Sequence, residues 1–75
     1  MPELFHAIDD AGSAAARLLL VERKLEDRVR FRNVHYDEVR VDLLACGGSG
    51  ATPALWDGHV LVEGEAAVTS RESPR

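Results

Sequence analysis

Apolar and polar positions along the chain fall into short blocks, and each block predicts an element. Leu4 to Ile8 is an apolar stretch ending at Asp9-Asp10, the pattern of a buried strand. Asp9, Asp10, Gly12 and Ser13 then form a loop, with Ser13 placed to cap a helix through its hydroxyl. Three alanines, Arg17, three leucines, Glu22, Arg23 and Lys24 follow, all strong helix formers. Ala14, Leu18, Val21 and Leu25 fall on one stripe of that helix, with its basic residues toward the C-terminal end. Arg28-Val29-Arg30-Phe31-Arg32 alternates strictly, as a strand with one buried face does, and its charges suit a sheet edge.

The next block has two readings. Tyr36-Asp37-Glu38 fits a hairpin turn leading to a strand with Val39 and Val41; alternatively Val39, Leu43 and Cys46 share one face of a short helix. Local pattern leaves both open. Gly47, Gly48, Ser49 and Gly50 mark a connection. Pro53 to Trp56 and His59 to Val62, joined by Asp57-Gly58, form a hairpin, because Asp-Gly supplies the positive φ that a tight turn needs. Glu63 to Val68 predicts a final helical turn or two, and the polar tail from Ser70 to Arg75 is expected to fray.

Composition narrows the class. Seventy-five residues hold one domain, 1–75, whose small core buries about 60% of the surface exposed when unfolded. At 45% hydrophobic and 29% charged the chain is globular rather than disordered. Aromatics are few, so Phe5, Phe31, Tyr36 and Trp56 are expected to anchor the packing. A net charge of −4 argues against general affinity for nucleic acid. The aliphatic run Leu18 to Val21 is far too short to span a bilayer, and the first residues do not form a secretory signal. A lone cysteine, Cys46, suits a reducing cytoplasm. The expectation is a soluble, cytoplasmic domain.

The segment Ala45-Cys46-Gly47-Gly48-Ser49-Gly50-Ala51-Thr52-Pro53-Ala54-Leu55 resembles the glutathione-transferase stretch A-L-N-P-x-G-x-V-P-A-L. Trp56-Asp57-Gly58-His59-Val60-Leu61-Val62-Glu63-Gly64-Glu65-Ala66 continues it, similar to that family's V-D-G-x-x-L-x-E-S-x-A, and Leu18 to Leu25 looks like the end of its first helix. The likeness runs from about Leu4 to Val68. It implies the amino-terminal domain of a glutathione transferase, related to the glutaredoxins: a minimal thioredoxin fold of the α/β (α+β) class. The order is βαβαββα, with a four-stranded mixed sheet, helices on both faces, and residues 37–46 helical. It also implies a cis peptide before Pro53, which proline permits at a cost of about 0.5–1 kcal/mol. In relatives the backbone at Thr52 pairs with the cysteinyl part of glutathione. The acidic residue and serine at the positions of Glu63 and Gly64 hold its γ-glutamyl end.

Three departures matter. Position 64 is glycine, so that hydroxyl is missing, although an amide there could still meet a carboxylate. The loop Ile8-Asp9-Asp10-Ala11-Gly12-Ser13-Ala14 has no cysteine where redox relatives place a thiolate at the helix start. The helical second domain of full transferases does not fit within these residues.

Each candidate group also has a plainer role. Ser13 could stabilise a glutathione thiolate by hydrogen bonding, but capping is its commoner use. Cys46 reads as a small buried group. Asp9 and Asp10 read as solvated loop acids. His6, His35 and His59 lack ligand spacing, so no metal site is expected, and His59 should be exposed. Arg28, Arg30 and Arg32 could bind a phosphate or an acidic partner as one row, though a solvated edge is the frequent meaning. The sequence therefore points to a module that binds glutathione or an extended peptide at Gly12, Ser13, Thr52, Pro53, Glu63 and Gly64, without thiol redox catalysis or a built-in cofactor. The alternatives are a transferase using Ser13, with its helical partner domain supplied by another chain, and an interaction module that forms a homodimer through the Arg28 to Arg32 edge.

Overall fold

A computed structural model describes residues 2–72. Strand β1 (Glu3–His6) leads to helix α1 (Ala11–Glu22), a 3-10 turn (Glu26–Arg28), β2 (Arg30–Asn33), α2 (Asp37–Ala45), β3 (Ala54–Trp56), β4 (Leu61–Glu63) and α3 (Glu65–Glu72). The sheet order is β2-β1-β3-β4, with β1 parallel to β2 and the other pairs antiparallel. This is the βαβαββα arrangement of a minimal thioredoxin fold. The ambiguous block is a helix.

Central β1 is covered on both faces, so neighbouring Leu4 and Phe5 are both buried. Leu4 and Leu55 meet Ala16 and Leu20 of α1 and Val68 of α3 on one face. Phe5 and Ala54 meet Val39 and Leu43 of α2 on the other. The parallel step from β1 to β2 needs a crossover, and α1 supplies it.

Several boundaries move from the sequence expectations. The first strand stops at His6 rather than Ile8. Helix α1 is capped by Asp10, not Ser13: the Asp10 carboxylate accepts from the Ser13 backbone N–H. The buried face of α1 is then Ser13, Ala16 and Leu20, while Leu18 and Val21 are exposed. A run of alanines and leucines fits more than one stripe, and small Ser13 and Ala16 let the helix lie closer to the sheet. At its other end α1 stops in a Schellman arrangement. Lys24 adopts φ 58°, its N–H donates to the Val21 carbonyl, and the Leu25 N–H donates to Leu20.

The hairpin is wider than a two-residue turn. Its loop runs from Asp57 to Val60, with Asp57 Oδ1 accepting from the N–H groups of His59 and Val60, each at 2.8 Å. That local side-chain turn delays β4 to Leu61. Helix α3 begins at Glu65 rather than Glu63 and continues through Glu72, so Ser70 to Glu72 are helical instead of frayed. The rest of the expected tail, 73–75, lies outside the described residues. Phe5 is buried and Phe31 and Trp56 half-buried, but Tyr36 stands exposed as the residue before α2.

The expected arginine row is split. Arg32, on edge strand β2, lies over the Phe5 ring and pairs with Glu3 and Asp42, and Arg30 is exposed. Arg28 sits in the 3-10 turn before the strand begins. Three adjacent-looking charges thus have three different surroundings.

Candidate functional site

The antiparallel register places the end of β1, the start of β3 and the end of β4 together, since Phe5 is opposite Ala54 and Ala54 opposite Glu63. Helices α1 and α3 both begin at that end of the sheet. Here the Thr52-Pro53 peptide is cis, as the sequence resemblance implies, and Pro53 is buried.

Gly12 is the contact point between the elements. A Cβ there would lie 3.2 Å from Pro53 Cδ and 3.3 Å from Glu65 Cβ. A side chain there would require both neighbours to give by a few tenths of an ångström, so glycine lets the first turn of α1 approach the proline and the start of α3 without displacing either.

Asp10 ties the same elements by hydrogen bonds. Its Oδ2 accepts from Ser13 N (3.0 Å), from Ser13 Oγ (2.7 Å) and from Thr52 Oγ1 (3.3 Å). The Ser13 hydroxyl first, then the backbone and Thr52 donors, hold the Asp10 carboxyl below its ordinary value against some desolvation. Asp10 is therefore a structural hub rather than a solvated loop acid. The spacing carried the signal: Asp10 stands three residues before Ser13, the separation of a cap and its N3 partner.

Ser13 Oγ is fully buried. It donates to Asp10 and accepts from the Ala7 N–H at 3.0 Å. Its only proton is committed, so the hydroxyl is not presented to a ligand thiol. Beside it, Arg17 donates to the Ala7 carbonyl at 3.1 Å and approaches His6 Nδ1 at 3.0 Å. Burial first, then the nearby Arg17 charge, lowers the His6 pKa.

Gly12, Ser13, Thr52 and Pro53 are thus gathered at one end. Glu63 and Gly64 are there too, with Glu63 Oε2 and the Gly64 N–H already bonded. Glu63 accepts from Ser49 N (2.8 Å) and Ser49 Oγ (3.0 Å), which secures the glycine-rich connection. The Gly64 N–H donates to the Pro53 carbonyl at 2.8 Å, at a φ of 95°, so it is not free to receive a carboxylate. Thr52 differs: among the described residues, no hydrogen bond reaches its backbone N–H or carbonyl.

Cys46 lies at the end of α2, half-buried against the cluster of Phe5, Val39, Leu43 and Ala54. Burial pushes its thiol up, reinforced by Glu3 and Asp42, which disfavours the thiolate. His59 is exposed in the hairpin loop. Among the described residues no group of three His, Cys, Asp or Glu side chains is placed to hold a metal ion, and no helix is long and apolar enough to cross a membrane.

Fold and site together define a small thioredoxin-like α/β domain with no cysteine at the head of its first helix. No protein-family model matches the chain, and a search of curated proteins finds no match either.

Proposed function

We propose that this chain is a binding module for an extended, peptide-like backbone, without thiol redox catalysis. The observation that carries the reading is the unpaired backbone of half-buried Thr52, held by its own side chain on Asp10. A ligand strand laid beside Thr52 would satisfy both its N–H and its carbonyl, the logic of strand addition. Each such bond contributes about 1 kcal/mol net, so two of them give weak binding unless ligand side chains add contacts.

Glutathione and a short peptide both offer that backbone. The peptide is the better supported of the two, because position 64 lacks the family's hydroxyl and the Gly64 N–H is already bonded to Pro53, leaving only Glu63 Oε1 for the γ-glutamyl end. The γ-glutamyl carboxylate of glutathione would arrive without the partners that the family resemblance assigns to it. Nothing at Ser13 favours the transferase reading, since its hydroxyl is buried and doubly bonded.

Amide-resolved NMR titration tests this. S-methylglutathione and a blocked tripeptide are added in parallel to millimolar concentration. Saturable shifts at Thr52, Gly12 and Ala51 are expected for the tripeptide, with smaller ones for S-methylglutathione. No movement at Thr52 with either ligand ends the proposal.

A further inference from the structure

The opposite end of the sheet carries a cleft of about 270 Å3. Leu25 and Val29 form its accessible apolar floor, over buried Leu20 and Leu55, with Pro2 at one side, and Arg28, Arg71 and Asp57 at its rim. Its position follows from the chain path. The Schellman end of α1 turns Leu25 back onto the core, and the Arg28 N–H donates to the Leu25 carbonyl at 2.8 Å. That short turn sets Arg28 over the floor, and the Arg30 N–H, bonded to the Pro2 carbonyl at 2.8 Å, closes the side.

The rim is not symmetric in charge. Arg71 pairs with Asp57, whose carboxylate also accepts from the hairpin backbone. Those two charges offset each other. Arg28 makes no side-chain ion pair or hydrogen bond with any described residue, so one net positive charge stands beside the apolar floor. A solitary exposed arginine is ordinarily just solvated. Here it borders open apolar surface in a domain too small to leave much of its core wet without cost.

We propose that this cleft binds a small amphipathic carboxylate, its alkyl or aryl part on Leu25 and Val29 above the buried Leu20 and Leu55, and its carboxylate on Arg28. The volume lies just below the usual range for ligand pockets, which limits the ligand to a short chain or a single ring. The planar guanidinium suits a carboxylate, which it can meet with two parallel hydrogen bonds. The site shares no residue with the Thr52 end, so either proposal can fail alone.

Sodium octanoate is the probe. Titrated into the whole chain, it should give saturable amide shifts at Leu25, Val29 and Leu55 with affinity of about millimolar order, and no shift at Thr52. Acetate lacks the chain and octylammonium reverses the charge; each should bind at least about tenfold more weakly. Arg28→Ala should weaken octanoate by a similar factor, and Arg28→Lys by less. Because Arg28 has no side-chain partner, its replacement should leave the spectrum otherwise intact. The proposal is overturned by shifts that do not saturate, by octylammonium binding as well as octanoate, by acetate matching octanoate, or by an unchanged affinity in Arg28→Ala.

Discussion

The two ends of the sheet are built on different principles. At the Thr52 end, polar groups are consumed internally: Asp10 accepts three donors, Glu63 holds Ser49, and Gly64 donates to Pro53. Gly12 closes the remaining space against Pro53 and Glu65. At the Arg28 end the space stays open over aliphatic side chains, and a guanidinium is left over. The difference separates two ways of locating function. Fold resemblance directs attention to the proline end, where one backbone segment remains unsatisfied. Open volume and unspent charge direct it to the other end.

The largest effect expected concerns the floor shared by the cleft and the core. Leu20 is completely buried, and Leu20→Ala should cost about 3 kcal/mol from lost transfer energy and the cavity it leaves. That is a large share of the roughly 4–11 kcal/mol expected of a domain this size, so urea denaturation should show a sharply lowered midpoint. A variant that stayed within about 1 kcal/mol would mean that the α1 face collapses readily, and the cleft floor would not be a rigid site. Asp10→Ala should cost about 2 kcal/mol, because the helix loses its cap and two hydroxyls lose their acceptor. Asp10→Asn, which keeps an acceptor oxygen, should recover part of it. Octanoate affinity should be untouched in folded Asp10→Ala, while tripeptide binding weakens as Thr52 is freed. Equal effects on both ligands would erase the distinction between the two ends.

A smaller, pH-dependent effect near neutrality belongs to the proline end. His6 is buried against Arg17 with its ring edge-on to Phe31, at 5.8 Å between centroids. Its folded pKa lies below the ordinary 6.5. Between the lowered value and 6.5 the unfolded chain binds more protons than the folded one, so stability rises with pH through that window. The thermal midpoint should therefore fall as pH is taken from 7.5 to 5.5, and His6→Phe should flatten the fall. Asp10 acts in a separate window: its lowered pKa contributes stability that is present above its ordinary value of 3.8 and lost as pH drops through the folded value. A His6→Phe protein with an unchanged slope between pH 7.5 and 5.5 would assign the effect elsewhere.

How much of this the sequence carried differs between the same two ends. The order of elements and the Asp-Gly hairpin were legible because glycine, proline and alternation act locally, whereas the cis link before Pro53 came only from the family resemblance. The face of α1 was not, since Leu18 and Val21 are as apolar as Leu20 and only packing against Leu4 and Val68 selects among them. The helix over 37–45 was equally hidden from local pattern, and the family resemblance resolved it. Asp10 stands three residues before Ser13, the spacing of a cap to its partner, but Ser13 itself was read as the cap and Asp10 as a solvated loop acid. Arg28 could not be told from Arg30 and Arg32, because the separation of the three depends on where β2 begins. That boundary is set by Arg30 pairing with Glu3 in the sheet register and donating to the Pro2 carbonyl.

Lys24 offers the smallest and most local way to sharpen the comparison. It holds φ 58° at the end of α1, where a side chain crowds the backbone and glycine does not. Its N–H to Val21 and the Leu25 N–H to Leu20 keep that geometry whichever residue stands there. Lys24→Gly should therefore stabilise the folded chain by about 0.5–1 kcal/mol, less the entropy that glycine gains when unfolded. Equilibrium urea unfolding reads it as a higher midpoint at constant slope. The same turn delivers Leu25 and Arg28 to the cleft, so octanoate affinity in Lys24→Gly should stay within about twofold of the parent. Stabilisation together with lost octanoate binding would mean that Lys24, not Arg28, supplies the charge the carboxylate meets.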